Sequence, residues 1–397
     1  MGAGHDHGPV ETPRNARRYI LGFLLPLIAA TVLGLLLLWP HGETPSYSTS
    51  PTVPAEVTSV GPCNPPTDEC ISAIAVITDG EDAGQETSWD LTAGEGAPVL
   101  EPGTAVILNV TDDGVGGQVY GFSDIQRSQP LLILAVLFSV AVILISRMKG
   151  VAALAGLAVS IGLLAWFVLP ALLLGTSPVA VSAVGAAAIA IPSMMLAHGF
   201  NMRTSVALIG TIFALLVTLV LGVVFTGATK FTGMNSEDTW NLINSGMNLS
   251  FDLKGLFIAG LVIGTLGVLN DITITQSAAV WEVFRARPES SLRDLYSAGM
   301  RVGRDHVSAT VNTLVLAYMG AALPLFLVIV MADAPLSKSL TNEVIAAEIV
   351  RSLVGGLGII AAIPITTVLA AWVLTRGHHD DDEMDLRAAA DSAKAAG

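Results

Sequence analysis

Charged side chains are scarce in this sequence and make up only 13% of its 397 residues. Soluble domains carry about 25% charged residues, whereas here hydrophobic residues reach 52% and the mean hydropathy is +0.66. An ordinary soluble domain is therefore excluded. Cysteine is also scarce, with two residues in the whole chain, so a zinc site built mainly from cysteines is excluded as well.

Several enzyme motifs are missing too. The sequence contains no HExxH metalloprotease motif, no paired catalytic aspartates in a GxGD context and no Gly-x-Ser-x-Gly elbow. A Walker A sequence is also absent, so hydrolysis of ATP by the chain itself is not expected. We predict a protein that is not an enzyme, holds no cofactor or metal, and binds neither nucleotide nor nucleic acid.

Eight apolar runs are long enough, or nearly so, to cross a bilayer, which takes about 20 residues. The second run is short, and the fourth contains Pro192, which a span tolerates when neighbours satisfy the freed carbonyl. The sequence therefore predicts a polytopic α-helical membrane protein of about eight spans in the lipid bilayer. The runs cover residues 19–39, 131–146, 151–174, 178–197, 204–226, 256–281, 308–331 and 348–375.

The distribution of lysine and arginine predicts the orientation, because these residues remain on the cytoplasmic side. With a cytoplasmic N-terminus, fourteen basic residues fall inside and five outside. Both termini are therefore predicted to be cytoplasmic, in a plasma (inner) membrane. The first run could also be a signal peptide, but its roughly 21 apolar residues exceed the usual 7–15 and no small-residue cleavage site follows. A retained anchor is favoured.

The predicted organisation is a cytoplasmic tail (1–18), an anchor (19–40), an extracytoplasmic domain (41–129), a helical core (130–376) and an acidic cytoplasmic tail (377–397). The segment 41–129 carries fourteen acidic residues and one basic residue, Arg127. Short β-type runs at 55–60, 71–78, 105–110 and 118–122, with a turn signal at Asp112-Asp113-Gly114, predict a small all-β domain, a partly open barrel. Its acidic excess is typical of a solvated surface, although it could also collect cations or a cationic substrate.

Both cysteines, Cys63 and Cys70, lie in this extracytoplasmic segment, seven positions apart and among prolines. In an oxidising compartment this spacing predicts a disulfide that closes a short loop.

His5-Asp6-His7 near the start and the segment 378–383 near the end combine imidazole with carboxylate, a pairing that can bind zinc or nickel. Charged ends of this kind are more often solvated, and we predict no metal site.

The sixth run, LFIAGLVIGTLGVLNDITITQSAAVW, contains a carboxylate near its middle. At 100° per residue, Gly260, Gly264, Gly267 and Asp271 fall within about 60° of one another. The glycines are predicted to allow close helix packing. A carboxylate at that depth normally lines an interior path, so Asp271 is predicted to carry protons or ions, with Asn270 beside it. Interhelical hydrogen bonding without transport is the alternative.

The seventh run begins with a polar half. Arg304, Asp305, His306 and Asn312 lie in this half, and Thr275 continues the Asp271 face of the preceding run. His306 is a candidate proton carrier because the reference pKa of histidine is near neutrality, although it could equally satisfy a headgroup or a carbonyl. The connector 285–303 is predicted to form a separate amphipathic helix along the membrane surface.

Two segments carry a resemblance to a known family. The segments VLNDITITQSAAVWE and MRVGRDHVSATVNTLVLAYMGAALPL closely resemble the YibE/F family of bacterial membrane proteins, over most of the chain from residue 131 to 375. The resemblance implies the same layout of an anchor, an outer domain and a helical core. It implies no established biochemical activity.

A weaker resemblance concerns mechanism. A glycine-rich helix that ends in Asn270-Asp271 is similar to the motif helix of SecD/SecF-type and RND-type proton-driven permeases, in which a mid-membrane acidic residue carries protons. Four spans rather than two separate the outer domain from this helix, and the motif occurs once. Those permeases pair two related halves, so the resemblance implies a homodimer or a related membrane subunit. The predicted function is a proton- or ion-coupled permease or transport component. The alternative is an assembly or export-accessory protein that binds a partner through its outer domain.

Overall fold

The computed structural model describes residues 16–44, 51–63, 70–92, 94, 96–112, 117–244, 252–331 and 335–395. The side chains of residues 16, 17, 336 and 377–395 are outside this description. Contacts divide the chain into two compact units, one comprising Ser46–Ile145 and the other Met1–Pro45 with Ser146–Gly397.

The first unit contains a five-stranded antiparallel sheet with strand order β3-β2-β1-β4-β5. Alternate residues, including Ala73, Ala75 and Leu108, point into a buried core, as expected for strands with one solvated face. The two edge strands meet where the rings of Trp89 and Phe122 stack, with centroids 6.2 Å apart. The sheet therefore brings its two edges close together at this point. The strands are β1 (Thr52–Pro62), β2 (Cys70–Ile77), β3 (Glu86–Thr92), β4 (Ala105–Asp112) and β5 (Gln118–Ile125).

The predicted β-type runs all lie within observed strands or differ from them by one residue at an end, whereas β3 was not predicted. Its sequence, ETSWDLT, has no apolar run, and only one of its residues, Trp89, is buried. Part of the predicted turn at Asp112-Asp113-Gly114 lies outside the described residues. The unit ends with helix α2 (Ser128–Ser146), which corresponds to the second predicted span.

The predicted disulfide is confirmed. Cys63, just after β1, is bonded to Cys70 at the start of β2, with a Cα–Cα distance of 5.6 Å. The carboxylate of Asp90 lies close to both sulfurs. Because both sulfurs take part in the disulfide, neither is available as a metal-binding thiolate.

The second unit is helical. Seven helices of the described chain are long and apolar enough to cross a membrane, and a bent pair makes an eighth if it counts as one span. This confirms the predicted count of about eight. The helices of this unit are α1 (Ala16–Leu38), α3 (Met148–Leu163), α4 (Leu169–Leu173), α5 (Pro178–His198), α6 (Met202–Ala228), α7 (Glu237–Ile243), α8 (Leu253–Ala286), α9 (Leu292–Ala321), α10 (Leu323–Met331), α11 (Leu336–Leu340) and α12 (Glu343–Ala395), with a π-helical turn at Leu164–Val168 between α3 and α4.

The helices α6, α8 and α9 begin at side chains that satisfy free backbone N–H groups. Asn201 accepts a hydrogen bond from the backbone of Thr204, and Asp252 accepts one from Gly255. Ser291 and Asp294 form a reciprocal capping box at the start of α9. Caps of this kind contribute about 1 kcal/mol each, which fixes where each helix starts.

The bent pair is α9 and α10, whose axes differ by 63°. Pro324 lies just after the break, and its ring favours a break there because it removes a backbone N–H and clashes with the preceding turn. The prediction of a separate surface helix in the connector is wrong. Helix α9 runs unbroken from Leu292 to Ala321, so the amphipathic segment is its first part.

Glycine allows several close helix contacts in this unit, and two of them join α6 to α12. A side chain at Gly210 on α6 would overlap the hydroxyl of Thr366 on α12, and one at Gly358 on α12 would overlap the hydroxyl of Thr218 on α6. Both threonines are fully buried. At both points the backbone of one helix therefore packs against a threonine side chain of the other, as small residues permit in membranes. Helices α6 and α12 form the frame against which α8 lies.

Candidate proton path along helix α8

Asp271 lies near the middle of α8, 18 residues after Leu253 and 15 before Ala286. At 1.5 Å per residue it is about 22 Å from the nearer helix end. Its side chain is exposed, and within the described chain it forms no hydrogen bond or ion pair. A carboxylate in this position can gain and lose a proton without breaking an internal salt bridge.

Asn270, the preceding residue, is partly buried, and its side-chain oxygen is buried with no hydrogen-bond partner among the described residues. Thr275, one turn further along the Asp271 face, is partly buried. The Asn270 side chain lies on a different side of α8 from the exposed Asp271 side chain, because successive helical residues point about 100° apart. Its buried oxygen is an acceptor without a partner in the described part of the chain.

The glycines predicted for helix packing are exposed. No described atom lies within 4 Å of a Cβ built at Gly260 or Gly267, and at Gly264 the only one is the Tyr318 hydroxyl, at 3.1 Å. In the described part of the chain, the predicted packing is therefore seen only as this contact between Gly264 and Tyr318 of α9. Other close contacts to α8 are made by glycines of its neighbours: Gly299 and Gly303 on α9 approach Gln276, and Gly355 on α12 approaches Thr265.

The predicted residues of α9 lie at the depth of Asp271 but do not touch it. Two contacts show how α8 and α9 lie side by side in opposite directions. Gly303 of α9 is next to Gln276 of α8, and Tyr318 of α9 is next to Gly264 of α8, at 3.2 Å and 3.1 Å from a Cβ built on each glycine. Asp271 of α8 is therefore level with the middle of α9. Each predicted residue of α9 is then within about two turns of that level. Arg304, Asp305, His306 and Asn312 are all exposed.

His198 is a titratable neighbour of Asp271 that the sequence did not reveal. It is the last residue of α5, and it interacts electrostatically with Asp271 and with the basic residues Arg203 and Lys149. By the predicted orientation, α5 ends on the cytoplasmic side. In that orientation, His198 marks the cytoplasmic end of α5.

Towards the other end of α8 lies Tyr318. Its hydroxyl touches the Gly264 position and is within hydrogen-bonding reach of Thr265. It also interacts electrostatically with Glu348 and Arg351 on α12, which form a 2.8 Å ion pair that is partly buried. Titratable groups thus occur on α8 and its neighbours towards both ends of the bundle.

A buried polar network holds α8 in place on its opposite face. The side-chain amide of Gln276 donates to the carbonyl of Gly299 at 2.8 Å and to the hydroxyl of Thr367 at 2.7 Å. Ser277 donates to the carbonyl of Arg203. Gln276 is not among the predicted site residues, although a lone amide in an apolar run is a signal of interhelical hydrogen bonding.

The comparisons with known proteins agree with this architecture. A family model described as YibE/F-like protein matches residues 134–376, more than half of the chain. The chain belongs to the YibE/F-like family. The match covers Asp271, Asn270 and the predicted residues of α9, and it leaves out the β-sheet that distinguishes the first unit.

Comparison of this YibE/F-like protein with curated proteins and with solved structures gives no match. The similarity to SecD/SecF-type and RND-type permeases is therefore unconfirmed and remains an analogy. Any function for this YibE/F-like protein has to be argued from its own residues.

Proposed function

We propose that this YibE/F-like membrane protein is a proton- or ion-coupled permease or a component of one, with Asp271 as the group that carries the proton. The observation that supports the proposal most is the place of Asp271 near the middle of a long apolar helix, with no ion pair to its carboxylate in the described part of the chain. Ionisable groups within spans are rare because they are expensive, and they mark proton relays and substrate pathways.

The neighbours of Asp271 support a path rather than an isolated group. His198 interacts with it on the side assigned to the cytoplasm, and Tyr318 contacts α8 two turns towards the other end. Asn270, the preceding residue, has a buried side-chain oxygen without a hydrogen-bond partner among the described residues. A proton could move between such groups through intervening water, and Asp271 would alternate between its charged and neutral forms.

Proton flux into liposomes that carry the purified full-length protein tests the proposal. Under an imposed pH gradient, a pH-sensitive dye inside the vesicles should report flux for the parent protein and none for Asp271→Asn, which keeps the shape and loses the titrating group. Glu282→Gln is the matched control, because Glu282 is a carboxylate on the same helix that pairs with Arg285 at 3.6 Å. It should retain flux.

Full flux in Asp271→Asn contradicts the proposal. If, in addition, Asp271→Leu fails to fold, Asp271 serves only to hold helices together. A parent protein that is correctly inserted and carries no flux, with or without the outer domain, favours the alternative of an assembly or export-accessory protein.

A further inference from the structure

The loop between α6 and α7, residues 229–236, lies at the end of the helical unit where α8 and α12 begin. Phe231 of this loop is only 3% exposed, and its ring packs edge to face against Phe257 of α8, with centroids 5.6 Å apart. The guanidinium of Arg351 on α12 lies over the ring of Phe257, at 5.4 Å. Phe257 therefore contacts both Phe231 and the Glu348–Arg351 ion pair. We call residues 229–236 the Phe231 loop.

Two features hold the Phe231 loop in this position. The carboxylate of Glu343, the first residue of α12, accepts hydrogen bonds from the backbone N–H groups of Thr232 and Gly233, both at 2.8 Å, and from the Thr232 hydroxyl at 3.0 Å. Gly233 has a φ of 90°, and a Cβ there would overlap the backbone of Leu253 at the start of α8. One carboxylate and one close backbone contact therefore fasten the loop to the starts of α12 and α8.

Other groups around the Phe231 loop oppose this position. Six buried side-chain atoms in the described part of the chain have no hydrogen-bond partner, and three of them belong to Thr226, Asn235 and Arg351. The backbone carbonyl of Thr226 accepts from Phe231, Asn235 lies in the loop, and Arg351 lies on Phe257. Burial of a polar group without a partner is unfavourable, and water entering here could satisfy all three. The closed position therefore competes with one in which the loop has moved away and water has entered.

We propose that the Phe231 loop is a gate at this end of the Asp271 path, closed in this structure and opened when the carboxylate of Glu343 releases it. This inference deepens the proposed function, and the meaning of the path rests on that function. A transporter with alternating access keeps one end of its path closed while the other is open, and apolar side chains can close a path by excluding water. In the closed position the two phenylalanine rings exclude water from the end of the path that holds Tyr318 and the ion pair.

The reactivity of a cysteine behind the gate tests the proposal in the full-length protein in nanodiscs. Thr265 of α8 is fully buried beside Tyr318, and Thr265→Cys adds the one free thiol, since Cys63 and Cys70 are bonded to each other. The rate of its reaction with a charged methanethiosulfonate reagent should follow the fraction of open loop. Glu343→Ala should raise this rate at least about tenfold, because a hydrogen bond to a charged group contributes that factor or more to an equilibrium constant.

Three further variants in the Thr265→Cys protein sharpen the test. Gly233→Ala should also raise the rate, because its side chain displaces the loop while the carboxylate remains. Glu343→Gln keeps an acceptor and the size of the side chain, so it should raise the rate less than Glu343→Ala, and it replaces that variant if alanine prevents folding. Glu237→Ala is the matched control, because Glu237 is an exposed carboxylate at the start of the neighbouring α7. It should leave the rate unchanged. Equal rates in all variants, or an equal increase from Glu237→Ala, overturn the proposal.

Proton flux in liposomes supplies a second measurement. In a Thr232→Cys, Glu343→Cys protein, a short bifunctional methanethiosulfonate should hold the loop closed and stop the flux, whereas a monofunctional reagent should not. Undiminished flux through the bridged protein overturns the gate. If the parent protein carries no flux but Glu343→Ala still accelerates labelling, the closing loop stands and the proposed function falls. Flux that requires Asp271, together with labelling that no loop variant alters, does the reverse.

Discussion

The hydroxyl oxygens of Thr211 on α6 and Thr273 on α8 lie 2.6 Å apart inside the helical unit. Both side chains are fully buried. The Thr211 hydroxyl also lies within hydrogen-bonding distance of the backbone carbonyl of Ala207, and the Thr273 hydroxyl within hydrogen-bonding distance of the backbone carbonyl of Asn270. One hydroxyl can therefore donate to the other while the second donates to its own helix. The pair joins the helix that carries Asp271 to the α6–α12 frame.

A double-mutant cycle measures this bond. We expect Thr211→Val and Thr273→Val to be coupled by about 0.6 kcal/mol, the average for interhelical hydrogen bonds in a membrane protein. Unfolding of detergent-solubilised protein by SDS supplies the free energies. A control cycle uses Thr218→Val in place of Thr211→Val. In the described part of the chain, the Thr218 hydroxyl donates to the carbonyl of Ala214 in its own helix and forms no hydrogen bond to α8. The effects of Thr218→Val and Thr273→Val on the free energy of unfolding should therefore be additive. Equal coupling in both cycles would contradict the assignment.

The spans could be predicted from the sequence because the length and apolarity of a run decide whether it can cross a bilayer. The four strands with apolar alternation were predictable for a similar reason. Strand β3 was not predictable, because its own composition does not favour a strand. It forms by pairing with the neighbouring strand β2, for example where Ala73 lies opposite Trp89. The break at Pro324 was available in the sequence as a proline, but its 63° angle depends on packing.

The site was predictable only in part, because periodicity assigns residues to one face of a helix and does not identify the neighbours of that face. It grouped the three glycines with Asp271, which are indeed exposed together. It could not reveal that His198, 73 positions earlier in the chain, interacts with Asp271, nor that Tyr318 lies against Gly264. These relations depend on how α5 and α9 pack beside α8.

The five-stranded sheet should lose stability in strong base. The Tyr120 hydroxyl donates to Asp82 at 2.6 Å, and this bond, together with burial and the carboxylate charge, raises the pKa of Tyr120 from 10.0 to about 12. Because the folded pKa lies above the unfolded one, this stabilisation is complete below pH 10 and is lost as the pH rises through 12.

Ultraviolet absorbance of tyrosinate checks this prediction. The difference between the parent protein and Tyr120→Phe should contain one group that titrates near pH 12. Asp82→Ala should return that pKa towards 10, and Asp82→Asn, which keeps an acceptor without the charge, should return it less. If the absorbance difference between the parent protein and Tyr120→Phe titrates near pH 10, the hydrogen bond between Tyr120 and Asp82 does not form.

The Cys63–Cys70 bond should stabilise the sheet and not the helical unit. It closes a loop of about eight residues, for which the chain-entropy relation gives about 2.5 kcal/mol. In the Cys63→Ser, Cys70→Ser protein, amide exchange in β1 and β2 should accelerate accordingly, while exchange in α6 and α12 remains that of the parent. Equal acceleration in both units would mean that they unfold together. Alkylation of the denatured, unreduced parent should find no free thiol.

The orientation of the chain decides which end of the Asp271 path faces the cytoplasm. The fourteen-to-five excess of basic residues predicts that the sheet is outside and that the α8–α9 connector is inside. A cysteine at the exposed Ala83, between β2 and β3, should therefore react with a membrane-impermeant maleimide in intact cells. A cysteine at the exposed Glu289 should react only after permeabilisation.

Both positions belong to loops or helix connections, so the substitutions should not disturb the spans. Labelling of Glu289→Cys in intact cells would mean an inverted chain or a different number of spans. Inversion would also exchange the roles of the two ends of the path: His198 would then face the outside, and Tyr318 with the Glu348–Arg351 pair would face the cytoplasm. The groups assigned to proton uptake and to proton release would then be exchanged. The labelling experiment therefore has to precede that assignment.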